Sequence, residues 1–405
     1  MTNRIRATLI SVSLIVMFYA LVGGLLGKNN NSTEETYRDL GVYSEVLNRI
    51  RQEYVAEPDL KKVTDGAIHG LLESLDPYST YLTAEQYQAY LQHPEPGPAD
   101  VGIFLSKRMG YATVVAVLPG SPAEKAGIKP GDLIDEIDST PARELSVLQL
   151  ERLLAGQAGT NVTVSVVREA RSEPQSITAT RAILNYPPVV TKMADEGTGY
   201  LRIASFNKGK AQEISSKLSE LEAQGARKIV LDLRNCAGGN VQEAVDTASL
   251  FLDKGLVTYL SGQRFARQEL EVHPKGSVSK LPLAVLINQS TAGPSELVAA
   301  AVLGNKRGEV VGVRSFGVGV FQKPIPVGDG SALLLSVAKY YGPDGKAIHD
   351  NGVNPTVVQP AASDTENPED EAQPEGPEHF GGKDDLQLRK ALEILNQPTT
   401  TLKAT

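Results

Sequence analysis

Residues 283–301 read LAVLINQSTAGPSELVAAA. The opening LAVLIN is a short apolar run of the kind that forms a buried strand, and LVAAA at the end is a stretch of good helix formers. Between them lies a helix start. Gly293 stands as N-cap, Pro294 occupies the first helical position, where its missing N–H does no harm, and Ser295 and Glu296 fill a first turn that favours polar and acidic groups. A strand, a tight turn and a small-residue helix are a common mount for a nucleophile. In this turn Gly293 has no side chain and Pro294 no reactive one.

Working outward, residues 186–360 alternate strand patterns (GYLRIASF, KIVLDLR, LAVLIN, EVVGV, ALLLSVAKYY) with helical ones at 211–224, 241–252 and 295–304. That alternation predicts an α/β sheet with helices on its faces. Residues 97–185 have a different character. Strand-like ATVVAVL (112–118), DLIDEID (132–138) and NVTVSVVRE (161–169) accompany two short helices. One is announced by the capping box Ser121-Pro122-Ala123-Glu124, and the other, SVLQLERLLAG (146–156), closes on Gly156. DVGIFL at 100–105 heads this unit with a glycine between apolar residues.

Residues 36–95 read as helical, with one apolar face at Leu40, Tyr43, Leu47 and Ile50 and another at Ile68, Leu71, Leu72 and Leu75, ending at the turn Asp76-Pro77. Residues 361–382 form a Pro/Gly/acidic tract with seven Asp or Glu and no Lys or Arg between 363 and 378, the composition of a solvated linker. One helix is expected over 383–398, with Leu388, Ala391, Leu392 and Leu395 on one face.

At the other end, Arg4 and Arg6 precede residues 7–27, which carry no charge and are long enough to span a bilayer. The arginines favour a cytoplasmic N-terminus, so that everything after Lys28 lies outside. A cleaved signal peptide is the rival reading; the lack of a good small-x-small site around Ala20 to Gly24 favours an uncleaved anchor over 1–28. A net charge of -8 across 405 residues argues against nucleic acid as a partner. His69, His93, His273, His349 and His379 lack metal-ligand spacing, and Cys236 is the only cysteine, so neither a metal, a cofactor nor a disulfide framework is expected. A lone cysteine is most often a small buried apolar residue, which is the preferred reading of Cys236 over a thiol nucleophile.

With these residues in hand, the chain resembles the carboxy-terminal processing (tail-specific) serine peptidases of the periplasm and equivalent compartments. DVGIFL and GSPAEKAGIKPGDLIDEID are similar to that family's PDZ domain, while YLRIASF, DLRNCAGG, TAGPSE, VGVRSFGVGVFQ and GVNPTVV follow the order of its catalytic motifs. The resemblance implies a multidomain protein of α/β and β class. It would comprise a helical arm (36–95), a PDZ domain (97–185) and a ClpP/crotonase-like α/β protease core (186–360), following the N-terminal transmembrane helix at an inner membrane read above.

In that family the serine is third in a T-A-S-A-S-E motif and the lysine base lies between the glycines of F-G-K-G. Here those positions fall on Gly293 and Val318, and the supporting glutamine on Gln322. A Ser–Lys dyad needs a hydroxyl whose proton a neutral lysine removes. Glycine offers no hydroxyl and valine accepts no proton. Pro294 also removes the backbone N–H that follows the serine and serves the oxyanion, a donor typically worth ~10²–10³ in rate. Gly238 and Gly239 of DLRNCAGG suit an oxyanion loop, or simply a tight turn after a strand. Ser295 is the alternative nucleophile, although Lys306 and Lys323, the lysines nearby in sequence, hold no motif position that would aim them at it.

The expected peptide-binding residues are Val101, Gly102, Ile103, Phe104 and Leu105, whose loop amides in PDZ domains capture a C-terminal carboxylate while the peptide adds as a strand. The sequence therefore reads as an inactive family member that binds protein C-terminal tails or unfolded polypeptides, with a homo-oligomer or an active peptidase relative as further partners. The alternative is an active serine endopeptidase with the shifted nucleophile Ser295.

Overall fold

The computed structural model describes residues 31–92, 97–108, 110–168, 171–273, 279–361, 380–382 and 384–397. The described residues up to Ile68 form one compact unit and those from His69 onward another. In the first lie α1 (Asn31–Glu53) and most of α2 (Leu60–Glu73). Of the apolar face expected on α1, Tyr43, Leu47 and Ile50 are half-buried and Leu40 is exposed. Among the described residues no helix is long and apolar enough to cross a membrane, and the anchor expected over residues 7–27 lies outside them. Most of the expected acidic linker lies outside them too.

The second unit holds three sheets. After the turn at Asp76, β1 (Thr80–Leu82) and α3 (Ala84–Gln92) complete the region read as helical. β1 pairs antiparallel with Ala332–Leu334 of a later strand, so part of that region belongs to the core. The three-residue TYL is too short for period-2 alternation to register in the sequence.

The expected PDZ unit is a sheet of β2 (Ile103–Arg108), β3 (Tyr111–Val117), β4 (Leu133–Ile137), β6 (Asn161–Arg168) and β7 (Arg171–Thr180), with β5 (Thr140–Pro141) paired to β4. Its helices are α4 (Pro122–Ala126) and α5 (Val147–Leu154). Both start as the sequence requires. Ser121 accepts from the Glu124 N–H, and Ser146 and Gln149 form a reciprocal capping box. Val114, Ile134, Leu150, Val162 and Val164 are buried in its core. β2 is an edge strand.

The expected α/β core splits into two sheets. One runs in the order β17-β14-β13-β10-β9-β8, built from β8 (Val190–Asp195), β9 (Thr198–Arg202), β10 (Lys228–Asp232), β13 (Leu283–Ile287), β14 (Glu309–Gly312) and β17 (Val357–Val358). Its strands pair in parallel except β8, which is antiparallel to β9. Helices α6 (Lys210–Ala223), α7 (Val241–Ala248) and α8 (Pro294–Gly304) supply its crossovers. The other sheet is antiparallel: β1, β11 (Leu256–Ser261), β12 (Gln268–Glu271), β15 (Val320–Pro326) and β16 (Ala332–Tyr341). ALLLSVAKYY thus belongs to a second layer, where β16 pairs with β1, β11 and β15. Single-strand patterns do not say which sheet a strand joins.

The last helix, α9 (Leu386–Asn396), forms as expected and packs Leu388 and Ala391 on Val230, Ala284, Leu286 and Val311 of the parallel sheet. Beneath it Arg234, fully buried, pairs with Asp232 and Asp385 at 2.6 Å each, and the Phe380 ring lies 4.1 Å from its guanidinium. Arg234 is two residues before Cys236 in DLRNCAGG, so the far end of the chain braces that loop.

Candidate active site and peptide groove

β13 contributes five fully buried residues and ends at Ile287, and the turn that follows is tied down by short side chains. Thr291 Oγ1 donates to Leu233 O at 2.8 Å and accepts from Asn288 N–H at 3.0 Å. Asn288 Nδ2 donates to Asn235 Oδ1, and Asn288 Oδ1 accepts the Asn235 N–H. These bonds tie the turn of TAGPSE to the loop of DLRNCAGG, two stretches more than fifty residues apart in sequence.

Gly293 then takes φ 64° and ψ -122°, a conformation costly for any residue with a Cβ. A strand-to-helix bend of this kind is a geometry that can hold a side chain out over a sheet. A Cβ built at Gly293 would meet nothing within 4 Å. Open space therefore lies on the side of the bend to which a side chain would project. Pro294 follows at the first helical position, as the sequence predicts.

Glu296 is the group that sequence reading undervalued. It is fully buried, and its carboxylate accepts four hydrogen bonds: Oε1 from Ser315 Oγ at 2.5 Å and Gly317 N–H at 2.8 Å, Oε2 from Gly293 N–H at 2.9 Å and Val318 N–H at 2.8 Å. One carboxylate thus fixes the bend and the FGVG loop together. Burial pushes its pKa up to about 7, against the downward pull of Ser315 and the N–H groups of Gly293, Val318 and Gly317. In the sequence it registers only as the acidic residue expected in a helix first turn; its partners beyond Gly293 lie about twenty residues away, and no local pattern encodes them.

Ser295 is 0% exposed, and its hydroxyl lies 2.6 Å from Cys236 O and 2.9 Å from Ala292 O. Lys306 and Lys323 are exposed, and the Lys323 ammonium lies 4.8 Å from the centre of the Phe265 ring. Cys236 is fully buried, and burial pushes its thiol pKa up. Gln322 donates through Nε2 to Tyr78 O at 2.7 Å, and the Tyr78 hydroxyl pairs with Ser106 on β2. The glutamine is thereby linked to the PDZ unit through one tyrosine.

The structure brings Gly293, Gly238, Val318 and Phe104 into one neighbourhood. Ala292, Ala237, Phe316, Val115 and Ala116 form a small buried cluster on which Phe104 and Val318 pack. A Cβ at Gly238 would overlap the Phe104 ring, so only glycine lets the phenyl group lie against this loop. Gly238 and Gly239 both have positive φ. Of the expected peptide-binding residues, Val101, Ile103 and Leu105 turn into the PDZ core, while Phe104 points the other way, onto Ala237, Ala292 and Phe316. A β-bulge between Phe104 and Leu105 lies at this point of the strand.

Sequence comparison bears on what this arrangement is. The profile of peptidase family S41 matches residues 197–359, that of the PDZ domain 113–168, and that of the activating protease CtpB N-terminal domain 24–86. The carboxy-terminal processing protease CtpA of Bacillus subtilis (strain 168) is 31% identical over 355 residues, covering 86% of this chain and 75% of the relative. The carboxyl-terminal-processing protease of Synechocystis sp. is 33% identical over 325 residues, covering 78% of this chain and 76% of the relative. Among solved structures, a photosystem II D1 C-terminal processing protease superposes with a TM-score of 0.66 at 28% identity, covering 78% of this chain and 92% of that one. A PDZ unit lodged against an α/β core, in a chain this similar along most of its length, leaves one conclusion: the chain belongs to the carboxy-terminal processing protease family.

Proposed function

We propose that this family member is a pseudopeptidase that binds unfolded polypeptide tails by strand addition to β2 and does not cleave them. Residues 7–27 anchor it in an inner membrane, with the folded domains on the extracytoplasmic side. The observation that carries the reading is Gly293: a backbone held at φ 64°, ψ -122° with open space where a side chain would project, and no hydroxyl there. Val318, in the lysine position, packs against apolar neighbours and supplies only its N–H, to Glu296. Ser295 turns its hydroxyl to buried carbonyl oxygens, away from any substrate. A tail held without turnover is withheld from, or presented to, an active relative.

The test is incubation of the purified chain with an apolar-ended model peptide, followed by mass spectrometry and a binding isotherm. Saturable binding with the peptide intact is the expected result. Cleavage abolished by Ser295→Ala would overturn the reading and establish a shifted nucleophile. The combined substitution Gly293→Ser, Pro294→Ala and Val318→Lys is expected to create proteolysis, since it returns hydroxyl, oxyanion donor and base to a bend that still has room for them.

A further inference from the structure

An edge strand such as β2, hydrogen-bonded to β3 on one side, can take an added polypeptide strand on the other. Recognition of a chain end requires one thing more, a set of backbone N–H groups left for the terminal carboxylate. The loop heading β2 runs Asp100-Val101-Gly102-Ile103. There the Asp100 side chain turns back on its own loop, and the Gly102 N–H donates to Asp100 Oδ1 at 2.6 Å. Its backbone is pinned, because Asp100 and Ala182 exchange N–H···O bonds at 3.0 Å in both directions.

Burial raises the Asp100 pKa, opposed by the N–H groups of Gly102, Val101 and Ile103 and by the charge of Arg181. Arg181 is itself engaged, donating to Leu153 O, Leu154 O and Asn161 O. No positive group is thus set aside in the loop for a second carboxylate, and a second negative charge there would meet the first at close range. Below the loop the side chains between β2 and α5 are apolar and buried, with Ile103, Leu105, Val147 and Leu150 packed in one cluster with Tyr78.

We propose that the Asp100 carboxylate is a built-in occupant of the loop heading β2, so that the domain takes apolar polypeptide segments by strand addition without reading a free C-terminal carboxylate. The inference rests on the strand-addition reading above and narrows its ligand class. Internal segments of unfolded chains become as acceptable as chain ends.

The experiment uses the full chain in detergent and two fluorescein-labelled peptides of one apolar sequence, one ending in a free acid and the other in an amide, titrated by anisotropy. Acid and amide are expected to bind the native protein within about threefold of each other, and Asp100→Gly to favour the acid by about tenfold or more. Asp100→Asn, which keeps an acceptor oxygen for the Gly102 N–H but drops the charge, should move the ratio the same way and guards against a loop collapsed by glycine. A native preference for the acid of tenfold or more, or a ratio unmoved in both variants, overturns the role of Asp100 while leaving strand addition standing. Failure of both peptides on native protein and variants alike overturns strand addition, and this inference with it.

Discussion

Replacing Glu296 by glutamine probes the joint between the Gly293 bend and the FGVG loop. Glutamine keeps one acceptor oxygen and presents an NH₂ group in place of the other. In the gentler orientation the NH₂ faces Ser315 Oγ, which can accept, and the Gly317 N–H is left unpaired in a buried site. An orphaned buried donor costs about 1–3 kcal/mol, so Glu296→Gln should lose about 2 kcal/mol at pH 8. The native protein has a further term. Because the folded pKa of Glu296 is raised from 4.5 to about 7, the folded state binds the proton more tightly than the unfolded state. That stabilisation is full below pH 4.5 and is lost as pH rises through about 7. Across this window it amounts to about 3 kcal/mol, absent in the glutamine variant. Urea unfolding followed by circular dichroism, run on both proteins from pH 5 to pH 8, should show a gap that widens toward acid. A gap that stays flat or narrows would refute the reasoning, because it would mean that the four donors outweigh burial and the ionised carboxylate is the favoured form.

Two other perturbations test the braces around the site. Asp385→Ala leaves buried Arg234 with half its countercharge and should cost about 3–5 kcal/mol by chemical denaturation. In the native protein, burial raises the Asp385 pKa but the bond and charge of Arg234 hold it below the usual value, so its contribution is present at neutral pH and lost as pH falls through the folded pKa; proteolysis of α9 should accelerate only in acid. Phe104→Ala removes a half-buried ring from the cluster with Ala237, Ala292 and Phe316, at about 2 kcal/mol. Amide exchange at Gly238 should speed up in that variant, and unchanged exchange would mean that the ring does not cover the loop.

Much of this protein is legible in one dimension because its signals are local. The capping residues Ser121 and Ser146, the proline after Gly293, the buried run LAVLI and the apolar face of α9 each concern neighbours within a turn or a strand, and each appears where the residues place it. The motif order likewise suffices to place Gly293 and Val318 in one neighbourhood. Other features depend on partners that sequence distance hides. The assignment of β16 to a second sheet, the strand TYL that joins it from the helical region, and the pairing of Arg234 with Asp385 across 151 positions all fall in this class.

What the residues alone determined is what positions 293 and 318 can offer: a glycine and a valine supply neither hydroxyl nor amine, whatever surrounds them. What tertiary structure decided is that the frame around them persists. Glu296 gathers donors from two separate segments, Phe104 closes over Gly238, and Asp100 fills its own loop. Hydrogen-bond geometry and burial are properties of the space between segments, and only folding creates that space.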